Sequence, residues 1–137
     1  MSENIDWILS GSYSLFIQGV DIEANDIDIV TNKVGAIKLD SLLSKYCIKP
    51  LEYSSTSEFR SYYGNYLIEG TKIDIMGEFQ YMQKNGNWSK LRHMCNTFNN
   101  DFENMKLKLF PLEEELKEYE ELGRVEKVNK IKEKLMI

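Results

Sequence analysis

Two stretches of the chain alternate strictly between acidic and branched aliphatic residues. The first is Asp26-Ile27-Asp28-Ile29-Val30, and the second is Ile73-Asp74-Ile75. A period of two is typical of a β-strand, in which successive side chains point to opposite faces of the sheet. We therefore predict two strands, each with its carboxylates on one face and its aliphatic side chains on the other.

If these two strands are neighbours, Asp26, Asp28 and Asp74 converge on one patch of the sheet. Like charges at close range raise one another's proton affinity and destabilise the fold. A cation would relieve the repulsion, and carboxylate oxygens are suitable ligands for magnesium. The pattern therefore predicts a magnesium site. The alternative is that the three acids are only the exposed face of two amphipathic strands.

The segment before the first acidic strand predicts a strand and a helix. Trp7-Ile8-Leu9 is a short apolar run that predicts the first strand, and Gly11-Ser12 turns the chain into a helix from Tyr13 to about Gln18, with Leu15 and Phe16 facing the sheet. The free N–H groups of a helix N-terminus favour phosphate, and glycine lets the backbone approach an anion closely. On its own this turn would indicate only a tight bend with an N-cap; followed by the acidic strand, it is a candidate phosphate site.

The middle of the chain predicts a helix and then β-structure. Apolar residues at helical spacing over residues 33–46 predict a helix packed on the sheet, and Lys49-Pro50 is expected to form a loop. From Leu51 to Phe79, aromatic and β-branched residues predict strands with turns at Gly64-Asn65 and Glu69-Gly70. The second acidic stretch lies in the resulting hairpin.

The last third of the chain predicts a hairpin, a strand and two helices. The hairpin turns at Asn85-Gly86, the strand runs from Met105 to Phe110, and the first helix runs from Pro111 to Leu122 and stops at Gly123. The second helix carries an apolar face, with its Glu and Lys residues opposite. The residues of that face are Val125, Val128, Ile131 and Leu135. The two apolar stripes could pack within the chain or form an interface between chains.

Length and composition limit the range of functions. A chain of 137 residues fits one domain, residues 1–137, which we divide into a core over 1–110 and C-terminal helices over 111–137. The net charge of −5 disfavours extended contact with nucleic acid, which needs a basic face. Cys47 and Cys95 lack metal-ligand spacing, and no signal peptide or membrane-spanning stretch is evident. We expect a cytoplasmic protein that binds neither membranes nor long nucleic acids.

The order of these motifs resembles the DNA polymerase β-type nucleotidyltransferase superfamily. Its pattern is hydrophobic-Gly-(Gly/Ser), a spacer, Asp-h-(Asp/Glu)-h and a later h-(Asp/Glu)-h, where h is hydrophobic. Here Leu9-Ser10-Gly11-Ser12 is followed by residues 13–25 and the acidic strand. Ser10 departs from the pattern, because a hydrophobic residue is usual there. The helical tail is similar to that of small lincosamide- and aminoglycoside-type nucleotidyltransferases.

The resemblance implies an α/β (α+β) fold: a mixed, mostly antiparallel sheet with helices packed on one side and a C-terminal helical extension. It also implies that Asp26 and Asp28 hold Mg²⁺ in a two-metal site, while Asp74 shares the second ion or acts as a base. Gly11 and Ser12 would bind the phosphates of a nucleoside triphosphate.

The function implied is transfer of a nucleoside monophosphate, with AMP from ATP the expected group, to a hydroxyl group of a small molecule, with release of pyrophosphate. One alternative is a minimal nucleotidyltransferase of the antitoxin kind, whose acceptor or binding partner is a toxin protein. Another is a degenerate member that binds a nucleotide without turnover. Because the chain is short, we also consider a homodimer that completes the acceptor pocket.

Overall fold

The computed structural model describes residues 5–136 and shows a seven-stranded sheet with four α-helices. The elements are β1 (Trp7–Ser10), α1 (Gly11–Ile17), β2 (Ile27–Thr31), α2 (Lys33–Leu42), β3 (Cys47–Ser55), β4 (Phe59–Ile68), β5 (Thr71–Tyr81), β6 (Phe98–Phe102), β7 (Met105–Leu109), α3 (Leu112–Leu122) and α4 (Val125–Leu135). Short 3₁₀ turns cover Ser44–Tyr46 and Arg92–Met94. None of the helices described is long and apolar enough to cross a membrane.

The strand order is β3-β4-β5-β2-β1-β7-β6. The pairs β2–β5 and β1–β7 are parallel, and the other four pairs are antiparallel. The predicted fold class, a mixed and mostly antiparallel sheet with helices, is therefore confirmed. The strands β2 and β5 carry the two acidic stretches, and they are neighbours at the centre of the sheet.

The two faces of the sheet differ in chemistry. Leu9 pairs with Ile29 and Ile29 with Ile75, so these three side chains share a face, which α1 and α2 approach. One residue further along the strands, Ser10 and Asp28 are partners across β1 and β2 and share the opposite face. Because side chains alternate along a strand, the aliphatic contacts that fix the register also place the polar residues together.

The C-terminal helices pack within the chain. Their buried side chains form a core cluster with α1 and the loop after it. This cluster consists of Leu15, Val20, Leu112, Tyr119 and Ile131. Gly123 ends α3 in the left-handed conformation, with φ of +70°, as the predicted stop requires.

One predicted apolar contact is wrong. Phe16 is 49% exposed and lies at the edge of the apolar stripe of α1, from which Leu15 enters the core. On the predicted apolar face of α4, Val125 is 66% exposed and Ile131 is buried.

Two predicted breaks in the β-structure are also wrong. Lys49-Pro50 lies inside β3, which is an edge strand, where proline is tolerated because no neighbour needs its missing N–H. The β3–β4 register shifts on both sides of Lys49. Gly64 lies inside β4, where a Cβ would stand 2.6 Å from the Tyr66 hydroxyl oxygen and 3.1 Å from the backbone of β3. Gly64 therefore permits a close approach of strands rather than a turn.

Other predicted boundaries agree better with the structure. The turn at Glu69-Gly70 joins β4 to β5, with both residues at positive φ. The helix predicted over 33–46 ends at Leu42 and continues as a 3₁₀ turn. The strand Phe98–Phe102 was not predicted, because its centre, Asn99-Asn100-Asp101, carries no apolar alternation.

Candidate active site

Asp28 and Asp74 lie side by side at the centre of the sheet. They are Cα partners in the parallel pair of β2 and β5, and their carboxyl groups are within hydrogen-bonding distance of each other. Burial, and then the charge of Asp74, raise the pKa of Asp28 to about 8. A proton on Asp28 therefore relieves the repulsion of the pair near neutral pH.

Side chains from β4 and β5 hold Asp74 in place. The Tyr63 hydroxyl donates to Asp74 Oδ1 at 2.5 Å, and Lys72 Nζ lies 3.6 Å from the same oxygen. Asn65 Nδ2 donates in turn to the Tyr63 hydroxyl oxygen at 3.1 Å. Burial and the hydrogen bond to Asp74 raise the pKa of Tyr63 to about 12, so the phenol keeps the proton that it donates.

Gly11 covers Asp28 from the end of β1. Its φ of +69° lies in the left-handed region, and a Cβ at this position would stand 2.0 Å from Asp28 Oδ2. Both facts require glycine, because any other side chain would occupy the space of the carboxylate. The Gly-Ser turn is thus packed against the acidic strand, as the sequence pattern predicted.

Ser12 and Asp26 lie on the other side of Asp28. All three line a cavity of about 410 Å³, which we name the Ser12 cavity. The Ser12 hydroxyl accepts from the Asn25 N–H at 3.3 Å, which ties the turn to the loop before β2. The predicted site residues Gly11, Ser12, Asp26 and Asp28 therefore surround one region of the surface, and Asp74 adjoins it through Asp28.

The prediction that Asp26 lies on the strand is wrong. Strand β2 begins at Ile27, whose partner is Ile73, and Asp26 forms a bend before the ladder starts. Within residues 5–136, no three His, Cys, Asp or Glu side chains are gathered so as to hold one metal ion. The predicted convergence of three carboxylates is thus a close pair, Asp28 and Asp74, with Asp26 nearby.

This pair fits magnesium chemically. Mg²⁺ in enzymes of phosphate chemistry is commonly bound by one or two carboxylates, with water and substrate phosphates completing its coordination. Asp28 and Asp74 offer such a donor set, and burial together with the charge of Asp74 raises the pKa of Asp28. Divalent-cation binding would therefore replace a proton at this position.

A second cavity lies on the Gly11 side of Asp28, between the sheet and the C-terminal helices. It has a volume of about 170 Å³, and we name it the Glu118 cavity. Strands β4 and β5 contribute Phe59 and Phe79, and the C-terminal helices contribute Glu118, Arg124 and Lys127. The sequence pattern did not single out these helical residues, because Glu and Lys on an amphipathic helix usually form a solvated face.

A buried ionic cluster connects α3 to the Gly-Ser turn. Arg92 is 2% exposed, with Nη2 3.2 Å from Glu115 Oε1 and Nε 2.7 Å from Glu118 Oε1, and its guanidinium lies over the Phe110 ring. Ser10 Oγ donates to the same Glu115 oxygen at 2.8 Å. Ser10, the departure from the superfamily pattern, is therefore the residue through which β1 contacts this cluster.

Glu118 belongs both to this cluster and to the cavity named after it. Burial raises the pKa of Glu118 to about 7, although the charge of Arg92 opposes the shift. Glu118 can therefore gain or lose a proton near neutral pH beside Asp28. No sequence signal identified Arg92, because its partners lie more than twenty residues away along the chain.

Comparisons with known proteins bear on the family to which the chain belongs. A model of the aminoglycoside-2''-adenylyltransferase family matches residues 1–134. Among solved structures, the chain is similar to a candidate nucleotidyltransferase from Thermotoga maritima, with 32% identity and a TM-score of 0.79. That match covers 97% of this chain and 83% of the other. No curated protein matches the sequence.

The family match spans nearly the whole chain, including the Gly-Ser turn, both acidic strands and the C-terminal helices. The superfamily inferred from the motifs is the one that both comparisons support. The chain belongs to the aminoglycoside-2''-adenylyltransferase family and is a nucleotidyltransferase.

Proposed function

We propose that this enzyme transfers AMP from ATP to a hydroxyl group of a small molecule and releases pyrophosphate. The observation that carries the proposal is the pairing of Asp28 with Asp74 beneath Gly11, on a chain of the adenylyltransferase family. Two adjacent carboxylates beside a glycine that leaves the backbone accessible suit a magnesium–triphosphate complex.

Asp28 and Asp74 would hold magnesium, with Asp26 as a further ligand from the bend before β2. When bound, the ion supplies charge neutralisation and orients the phosphates for in-line displacement. The backbone at Gly11 and the hydroxyl of Ser12 would contact the β- and γ-phosphates. The Ser12 hydroxyl already lines the cavity that contains Asp26 and Asp28.

In the transfer step, the acceptor oxygen attacks the α-phosphorus. A new P–O bond forms to the acceptor, the bond to the bridging oxygen of pyrophosphate breaks, and the acceptor hydroxyl loses its proton. We assign that proton to the carboxylate of Asp74, whose Oδ1 accepts from the Tyr63 hydroxyl and lies 3.6 Å from Lys72 Nζ. The hydrogen bond from Tyr63 thereby fixes the orientation of the Asp74 carboxylate.

The proposal is tested by product analysis. The purified protein is incubated with Mg²⁺ and each of ATP, CTP, GTP and UTP, together with a panel of aminoglycosides and lincosamides. Pyrophosphate release and an acceptor heavier by one nucleotide are the expected products. Asp28→Asn and Asp74→Asn should abolish both, whereas Asp101→Asn, on the exposed edge strand β6, should change neither.

Two results would contradict the proposal. Full activity of Asp28→Asn would show that the acidic pair is not the site of transfer. Nucleotide appearing only on a co-purified protein would contradict the small-molecule acceptor and favour the antitoxin alternative.

A further inference from the structure

Lys127 of α4 lies where the two cavities around Asp28 meet. It lines the Ser12 cavity together with Asp26 and Asp28, and it lines the Glu118 cavity together with Gly11 and Asp28. No other residue of the C-terminal helices lines both cavities. A long, flexible ammonium side chain at this junction can reach a ligand that lies over Asp28.

The charges around the Ser12 cavity are almost all negative. Its lining contains four acids and one base. The acids are Glu23, Asp26, Asp28 and Glu126, and the base is Lys127. A triphosphate adds further negative charge, of which a magnesium ion neutralises only part. Binding a triphosphate here therefore requires a cation from the protein, and Lys127 is the one that the lining provides.

Lys127 is available for that role. Within residues 5–136 it forms no ion pair within 4.0 Å, and its ammonium lies 4.9 Å from the centre of the Tyr119 ring. Its charge lowers the pKa of both Asp28 and Glu118, although burial outweighs this effect at each. The ammonium thus already acts on the site electrostatically from the C-terminal extension.

The other cations near the site have partners. Lys72 lies 3.6 Å from Asp74, and Arg60 stacks on Trp88 and donates to Gln80 at 2.8 Å. Arg124 lines only the Glu118 cavity, and its guanidinium lies over the Phe59 ring, 5.7 Å from the ring centre. Arg92 is buried in its ionic cluster. These contacts leave Lys127 as the cation best placed for a phosphate.

We propose that Lys127 binds the β- and γ-phosphates of the nucleoside triphosphate, so that α4 completes a nucleotide site otherwise built from the catalytic core. This inference rests on the proposed function, because it assumes a triphosphate beside Asp28. It adds a phosphate-binding role for the C-terminal extension, which the motif residues Gly11, Ser12, Asp26, Asp28 and Asp74 do not include.

The test is titration calorimetry of ATP with Mg²⁺ on four proteins: wild type, Lys127→Met, Lys127→Arg and Lys132→Met. Lys132 is the matched control, because it lies on the same helix and pairs with Glu120 away from both cavities. We expect Lys127→Met to weaken ATP binding about tenfold, the factor that corresponds to one charge-assisted hydrogen bond. Lys127→Arg should retain most of the affinity, and Lys132→Met all of it.

Equal ATP binding by Lys127→Met and wild type, or an equal loss in Lys132→Met, would each overturn the inference. If the wild type does not bind ATP in the presence of Mg²⁺, the proposed function itself fails, and the inference with it.

Discussion

Asp28 and Asp74 occupy directly opposite positions on two parallel strands, and the fold itself holds them together. The pairs on either side, Ile27 with Ile73 and Ile29 with Ile75, continue the same register. Ile75 is fully buried in a core cluster with Leu39 and Tyr66, so a slip of one residue would turn it away from that cluster. The hydrophobic contacts of one face therefore hold the two carboxyl groups together on the other.

The first prediction concerns the stability of the acidic pair. The folded-state pKa of Asp28, about 8, lies above its ordinary value of 3.8, so the folded protein binds more protons than the unfolded chain between these values. Stability contributed by this proton is complete below about pH 4 and is lost as the pH rises towards 8. Asp28→Asn cannot ionise, and its free energy of unfolding at pH 8.5 should exceed that of the wild type by about 1–3 kcal/mol.

Urea unfolding at pH 5 and pH 8.5 measures this difference. The advantage of Asp28→Asn should grow with pH, whereas Asp101→Asn, an exposed substitution, should follow the wild type at both values. An Asp28→Asn protein that is less stable than wild type at pH 8.5 would show that the carboxylate is compensated in the folded state.

The second prediction concerns magnesium. Because the ion must displace the proton of Asp28, its binding should strengthen as the pH rises through about 8. Millimolar Mg²⁺ should therefore raise the melting temperature of the wild type more at pH 8.5 than at pH 6, and should not affect Asp28→Asn. Differential scanning calorimetry checks this, and an equal shift at both pH values would argue against binding at the pair.

The third prediction concerns Tyr63. Tyr63→Phe removes the hydroxyl that orients Asp74 and leaves the ring in place. We expect kcat to fall about tenfold, while the free energy of unfolding falls by only about 1 kcal/mol, the usual contribution of one hydrogen bond. Tyr53→Phe, on the exposed edge strand, is the control for a general effect of losing a phenol. Unchanged kcat in Tyr63→Phe would show that Asp74 does not need this contact.

The fourth prediction concerns the buried ionic cluster. Arg92→Met leaves Glu115 and Glu118 without their cation in a site that excludes water. Breaking such a cluster should lower the free energy of unfolding by about 3–5 kcal/mol. Lys117→Met, on the exposed side of α3, should change it by less than about 1 kcal/mol. Urea unfolding compares the two, and similar values would mean that the cluster adds little to stability.

The positions of Asp28, Asp74 and Gly11 in the fold were predictable from sequence because their signals are local. Strict alternation identified the strands of Asp28 and Asp74, and aliphatic neighbours on both sides required them to be buried in a sheet. Gly11 was recognisable by its place before a helix and an acidic strand. Asp26 was misplaced by one position, because alternation continues in the sequence beyond the point where the ladder begins.

The surroundings of the site were not predictable, because they depend on contacts distant in sequence. Ser10 and Glu115 are separated by 105 positions, and nothing local indicates that a glutamate on an amphipathic helix is buried. Lys127 looks like any solvated lysine of α4 until the packing of that helix against α1 and α3 places it beside Asp28. Pro50 was misread for a related reason, since only the sheet order shows that its strand is at an edge.

The most direct test of the account is calorimetric titration of ATP into wild type and Asp28→Asn at pH 8.5, each with Mg²⁺ and with a chelator. The account predicts binding to the wild type that requires Mg²⁺ and is lost in Asp28→Asn, although that variant is folded and more stable. Equal, metal-independent binding by the two proteins would contradict the claim that the pair of Asp28 and Asp74 is the metal–nucleotide site.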